Sequence, residues 1–294
     1  MSAPDNWGPL AEPIHGLVPD GRPAWKDNAF LNFWDPDHEI FGCAHASTSP
    51  NAQGRRVRFS ISVAGRVIEI ADDLAPGSFT SPVVDFDLNK GITVTTARLS
   101  GSVRSDPLFS LADYTAGETI PALIAGEPLH HFQRAAKVSG ELVVDGETIT
   151  IDATGFRDRT WGYRDESLTW SEYFAFLSVF DDYALTAMRF RSPDGKDATE
   201  GYLLGEVGID SPGVTALGVT RDASGLAAAA HLTLTDGTAL TVRSAARVGG
   251  FWVPMGWARR GPAMSSYDEF AAVTTDRGER GFGMFEHGII RQLF

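Results

Sequence analysis

The feature that most constrains this chain is a pair of β-rich runs joined by a turn: Lys137-Val138-Ser139-Gly140-Glu141-Leu142-Val143-Val144, then Asp145-Gly146, then Glu147-Thr148-Ile149-Thr150-Ile151. Asp-Gly tolerates the left-handed backbone that a two-residue hairpin turn demands, and the flanking residues favour a pleated surface, so the segment is an antiparallel hairpin. The pattern recurs. Val57, Phe59, Ile61 and Val63 alternate with polar residues before Ala64-Gly65 and a return through Val67 to Ile70. Ala230 to Thr235 meets Asp236-Gly237 and continues through Thr238 to Val242, and Asp194-Gly195 follows a strand over Tyr183 to Phe190. Ile92 to Val94 and Leu99 to Val103 add further strands. Helical spacing is confined to two short segments, Pro107 to Tyr114 with Asp106 as its cap, and Ser265 to Ala272. An all-β chain follows.

At 294 residues the chain exceeds the usual size of one core, and the two strand-Asp-Gly-strand units lie about one domain apart, so a duplicated barrel or sandwich is expected. The proposed division is an irregular, proline-rich arm over 1–25, which either wraps a neighbour or stays loose, one β domain over 26–165, and a second over 166–294. Hydrophobic residues at 43% and charged residues at 21% are those of a folded protein. No apolar run approaches the roughly 18 residues of a membrane span. The first residues also lack a basic-then-apolar leader, so membrane insertion and secretion are disfavoured. The single cysteine, Cys43, excludes an intrachain disulfide and fits a reducing compartment, so a cytoplasmic location is expected. A net charge of −13 repels nucleic-acid backbones. No glycine pattern cradles a nucleotide, no G-x-S-x-G elbow is present, and His38 and His45 with their acidic neighbours match no zinc spacing, so neither cofactor nor metal is expected.

The candidate chemistry concentrates in Gly155-Phe156-Arg157-Asp158-Arg159-Thr160-Trp161-Gly162-Tyr163-Arg164-Asp165, which holds three arginines, two aspartates and three aromatics without helical spacing. If it is extended, Asp158 and Thr160 point one way and Arg157, Arg159 and Trp161 the other. Asp158 is a competent acid in an apolar pocket and a poor one beside an arginine. Arg157, Asp158 and Arg164 have an alternative reading as an ionic clasp between domains. Glu286, between aromatic and apolar neighbours, is a second proton carrier or a solvent-facing carboxylate. His130 and His131 cannot share a face of a strand, so one of them is left to face a pocket as a relay.

His130-His131-Phe132-Gln133, the Asp145-Gly146 hairpin and the Gly155 to Asp165 run together resemble the AttH-like and carotenoid 1,2-hydratase-like proteins, in which a G-x-R-D-H-S-W-G-x-R strand joins two lipocalin-like barrels. Phe30 to Pro36 and Gly281 to Glu286 are similar to the two ends of that family, so the resemblance spans nearly the whole chain. It implies two tandem lipocalin-like (calycin-type) antiparallel barrels, apolar substrates such as terpenoids or polyketides, and no redox cofactor. The motif histidine is Arg159 here, and an arginine cannot donate its proton at ordinary pH, so that histidine's acid role does not carry over. Trp161 matches the motif tryptophan and is expected in a pocket wall. Asp181, Asp182 and Tyr183 fall near the family's tyrosine and aspartate.

The expected function is therefore a cofactor-independent lyase, isomerase or cyclase of hydratase type acting on a hydrophobic small molecule. Asp158 and Glu286 are the candidate proton carriers, with Arg159 and Arg164 orienting them or holding a substrate oxygen. Trp161, Arg157, Tyr173, His130, His131 and Tyr183 are the candidate substrate-binding residues. The alternative is a non-catalytic carrier or sensor of an apolar metabolite. A homodimer is left open, and neither nucleic acid nor membrane is an expected partner.

Overall fold

The structure, a computed structural model, describes residues 6–16, 21–52, 55–75, 77–117, 119–120, 122–164, 170–207, 211–255 and 261–293. Asp165 and the expected domain boundary lie outside the described residues. Contacts group the chain into two units, one of Met1–Asp113 with Ile124–Arg164 and one of Tyr114–Leu123 with Asp165–Phe294. The excursion over 114–123 thus belongs with the second unit, where the Tyr114 hydroxyl meets Thr186 Oγ1 at 2.8 Å.

Each unit is an antiparallel sheet curled into a nearly closed barrel. In the first, β1 (Trp25–Asp35), β2 (Ile40–Thr48), β3 (Arg56–Val63) and β4 (Arg66–Asp73) run on one side. β5 (Val84–Asp87), β6 (Gly91–Thr95), β7 (Leu99–Pro107) and the short β8 (Ala112–Asp113) lead to the long hairpin of β9 (His130–Val144) and β10 (Glu147–Tyr163). The order β4-β3-β2-β1-β10-β9-β7-β6-β5 makes β10 the meeting point of the sequence-local strands at either end. In the second unit, β11 (Glu172–Val179), β12 (Ala184–Arg191), β13 (Asp197–Leu204), β14 (Val214–Arg221), β15 (Ala227–Leu234), β16 (Ala239–Met255), β17 (Gly261–Thr275) and β18 (Arg280–Leu293) are ordered β13-β12-β11-β18-β17-β16-β15-β14.

The lumen of the first barrel holds the alternate residues Ala29, Leu31 and Phe33 of β1, Val57, Phe59 and Ile61 of β3, and Val138, Leu142 and Val144 of β9, all buried. Trp7 and Leu10, from a 3-10 turn over Gly8–Ala11, join the same cluster. This part of the arm is therefore not loose: Trp7 and Leu10 lie in the core of their own barrel. Phe174, Phe176, Leu185, Ala187, Val273 and Phe285 form the corresponding core of the second unit.

Asp145 and Gly146 both have positive φ, 50° and 88°, as a two-residue turn requires. The Asp236-Gly237 pair closes differently. Leu234 N bonds Thr238 O at 2.8 Å and only Gly237 is left-handed, φ 82°, so the loop has three residues, with glycine at the position that returns the chain to the ladder.

Both expected helices are strands or loop. Ser265 to Ala272 lies within β17, a central strand paired on both sides whose two faces are packed, which masks the alternation that would have identified it. Pro107 ends β7, Phe109 takes a left-handed φ of 55°, and Ala112 and Asp113 pair with Gln133 and Phe132. Asp106 caps no helix because its carboxylate takes Arg104 Nη2 at 2.6 Å.

Candidate active site on the two faces of β10

The strand β10 carries its charged residues on opposite faces, and the register of its neighbours decides what each meets. Asp158 lies opposite Gln133 of β9 and Phe30 of β1, and Phe30 in turn lies opposite His45 of β2. One pair further along, Thr160 lies opposite His131 and Asn28, and Asn28 opposite Ser47. Two adjacent ladder rows thus build a polar patch on the face away from the lumen.

Asp158, whose side chain is 15% exposed, is held by three groups. Gln133 Nε2 donates to Oδ2 at 3.1 Å, Thr160 Oγ1 donates to Oδ1 at 3.0 Å, and His131 Nε2 stands 3.2 Å from Oδ2. His131 Nδ1 is 2.6 Å from Thr160 Oγ1, and the residue is 8% exposed. Since Thr160 spends its proton on Asp158, Nδ1 must donate to Thr160. A neutral imidazole then has no proton left for the Nε2–Asp158 contact. A proton on Nε2 would turn this contact into a charge-assisted pair. Burial lowers the His131 pKa, against the opposing pull of Asp158, so that proton is weakly held on the ring. His45, in the neighbouring row, is lowered to about 4 by burial and then by the charge of Arg164.

The lumen face is different in kind. Arg159 is wholly buried; its Nη1 pairs with Asp27 and donates to Asn28 O at 2.9 Å, and its Nη2 donates to Glu12 O at 3.1 Å. Arg157 is 1% exposed, donates Nη1 to Leu88 O at 2.8 Å, and stacks its guanidinium 4.4 Å from the Trp7 ring. Trp161 lies between His130 and His15, with ring centroids 5.2 and 5.3 Å away. His130 is lowered by burial. Asp158 therefore meets neither Arg157 nor Arg159, and an orienting role for Arg159 toward it has no contact behind it. The clasp of Arg157 with Asp158 is likewise absent, because alternate residues leave a strand on opposite faces. Arg164 N bonds Ala24 O at 3.1 Å, which ends the β1 pairing.

The remaining candidates belong to the second unit. Tyr173 donates its hydroxyl to Glu286. The ring packs on Phe190 and Trp170, and it passes over Gly288, where a Cβ would stand 1.9 Å from Tyr173 Cε1. His287 points the other way, into the lumen, with Nε2 3.1 Å from Glu269 Oε2 and Nδ1 3.0 Å from Arg221 Nη1. Tyr183 stands apart from the other candidates: its hydroxyl donates to Glu279 Oε2 at 2.9 Å, and burial raises its pKa.

Thr160, Gln133, Asn28 and His45 were missed as site residues. Their only signal was polarity in phase with Asp158, and that phase becomes a site only when the pairing of four strands is known. Among the described residues no group of three or more His, Cys, Asp or Glu is arranged to hold a metal ion, and no helix is long and apolar enough to cross a membrane.

Several solved structures share this architecture. An AttH protein from Nitrosomonas europaea aligns over 97% of this chain and 99% of its own, with 14% identity and a TM-score of 0.62. Kievitone hydratase from Nectria haematococca aligns over 97% and 93%, with 14% identity and a TM-score of 0.62. CghA with Sch210972 aligns over 96% of each chain, with 13% identity and a TM-score of 0.61. At such identities the likeness is one of fold. No curated protein matches the chain in sequence. The match that extends to sequence covers residues 11–289, nearly the whole of both barrels, and by it the chain belongs to the family described as Domain of unknown function (DUF7064).

Proposed function

We propose that the protein is a cofactor-independent acid-base enzyme of the hydratase type, a lyase or isomerase acting on a hydrophobic small molecule that carries an oxygen function. The observation that carries this reading is the Asp158–Thr160–His131 triangle, in which a buried imidazole and carboxylate stand 3.2 Å apart and can share one proton. A proton shared in this way can pass to an alkene carbon, and the same pair can take one back from the water that attacks the resulting cation. Gln133 and Thr160 hold the carboxylate in place while the charge changes. Glu286, held by Tyr173, is the second proton-carrying pair, in the other unit. The fold neighbour named kievitone hydratase supports water addition as the reaction, and CghA with Sch210972 supports a small organic ligand.

The test is mass spectrometry of reactions in ¹⁸O-water with terpenoid, polyketide and phenolic alkenes, using the wild-type protein, Asp158→Asn and Glu286→Gln. Label uptake that is lost at least a hundredfold in Asp158→Asn supports water addition through the triangle. A product of unchanged mass that also needs Asp158 points to isomerisation or cyclisation. Turnover equal in wild type and Asp158→Asn overturns the assignment. A substrate-panel member that stays bound but unaltered favours the carrier reading.

A further inference from the structure

The lumen of the first barrel contains more positive charge than its partners neutralise. Arg134 and Arg157 lie directly opposite each other on β9 and β10, and Arg159 follows two residues later on the same face. Like charges in a cross-strand pair repel, and burial strengthens the repulsion. Arg134 is 5% exposed, Arg157 1% and Arg159 0%. Among the described residues the only carboxylate bonded to any of the three is Asp27, on Arg159. Arg134 instead donates to the carbonyls of Phe109 at 2.9 Å and Asn6 at 3.1 Å, and Arg157 to that of Leu88. The Nε atoms of Arg157 and Arg159 are buried without a hydrogen-bond partner. Burial and the charge of Arg159 lower the Arg157 pKa to about 9, with the unbonded charge of Asp87 opposing them less strongly.

All three arginines reach the same segment of chain. Arg134 bonds Asn6 O, Arg159 bonds Glu12 O, and Arg157 stacks on Trp7, while His15 N and Nδ1 bond Asp27 Oδ2 at 2.8 and 2.9 Å. Residues 6–16 thus offer neutral carbonyls and an indole face where the cations attract an anion. A cavity of about 380 Å³ adjoins this place, lined on its apolar side by Ile14, Phe79, Phe86 and Leu88. Phe79 and Phe86 are also the rings on which Arg159 and Arg157 pack, at 5.3 and 5.7 Å. Asp85 and Asp87 line the cavity as well, and Asp87 is committed to the backbone of Asn89 and to Lys90 Nζ.

We propose that the arginine-lined lumen of the first barrel is a binding site for an amphiphilic anion, its carboxylate or sulfonate on Arg157 and Arg159 and its flat apolar body against Phe79 and Phe86. Residues 6–16 occupy that site as a displaceable internal substitute. The site lies on the face of β10 opposite the Asp158–His131 pair and does not depend on the catalytic reading. The anion would supply the unpaired guanidinium N–H groups with charge-assisted partners, which a carbonyl does only weakly.

The test uses the full-length protein and two probes of nearly the same shape, the anionic 1-anilinonaphthalene-8-sulfonate and the uncharged N-phenyl-1-naphthylamine, followed by their fluorescence excited through tryptophan. Trp7→Ala, which removes the arm's main anchor in the lumen, is expected to tighten the anionic probe at least tenfold. The gain should be several-fold greater than for the neutral probe. Adding Arg157→Met to Trp7→Ala is expected to abolish that charge preference; this change removes a buried cation to which no carboxylate is bonded among the described residues, so folding is retained. Asp158→Asn is expected to leave both affinities unchanged. Equal affinities for the two probes in Trp7→Ala, no anionic binding in either wild type or Trp7→Ala, or a charge preference that survives loss of Arg157 would each overturn the proposal.

Discussion

Removing the Asp27 carboxylate tests how the first barrel tolerates its buried cations. Asp27 and Arg159 side chains are both fully buried, and Asp27 Oδ2 also ties down His15 through its backbone and ring nitrogens. In Asp27→Ala, Arg159 keeps the neutral carbonyls of Asn28, Glu12 and, at 3.5 Å, Thr160, and it stands beside Arg157 with no negative charge bonded to either among the described residues. Breaking a buried pair from one side costs about 3–5 kcal/mol, a large share of the roughly 5–15 kcal/mol by which a domain is stable. Losing the two His15 bonds adds about 1 kcal/mol. The double variant Asp27→Ala/Arg159→Met removes the stranded charge as well, and is expected to recover at least about 2 kcal/mol relative to Asp27→Ala. Guanidinium titrations followed by tryptophan emission suit the measurement, because Trp7, Trp25, Trp34 and Trp161 all report on the first unit. A cost below about 1 kcal/mol for Asp27→Ala, or a double variant no more stable than the single one, would refute the argument that an unpaired cation is the dominant penalty.

Two further outcomes follow from the same structure. His45 is held neutral, with its pKa lowered from 6.5 to about 4. The unfolded chain takes up a proton below about pH 6.5 that the folded chain refuses until about pH 4, so stability falls as pH falls through that window. At about 1.4 kcal/mol per unit the ceiling is ~3 kcal/mol, less some discount for partial exposure of the ring, and urea titrations at pH 7.5 and 4.5 should show wild type losing more than His45→Phe; equal losses would contradict the assignment. Gly155 begins the charged run because a Cβ there would stand 1.9 Å from Asn32 O and 2.8 Å from Phe33 Cα, both backbone of β1. Gly155→Ala is expected to cost at least about 2 kcal/mol by differential scanning calorimetry, whereas Gly205→Ala, which meets nothing within 4 Å, serves as the neutral comparison.

What the sequence by itself determined was local. Period-two alternation is a property of one strand, so it separated Asp158 and Thr160 from Arg157, Arg159 and Trp161 without knowledge of any partner. It likewise put His130 and His131 on opposite faces and turned His287 away from Glu286. Asp145-Gly146 marked its hairpin because that turn is a matter of two backbone angles. Alternation failed over Ser265 to Ala272, since Ser266 and Asp268 are buried on one face and Glu269 on the other, so polarity does not separate an inner from an outer side. Tertiary structure decided everything that depends on register. A shift of one residue between β9 and β10 would exchange His130 for His131 beside Asp158. Only the pairing of β1 with β10 brings Asp27, 132 residues away in sequence, to Arg159. The entry of Trp7 and Leu10 into the lumen was equally illegible, because an irregular arm has no period, and its place was set by the apolar volume and the buried arginines waiting inside the barrel.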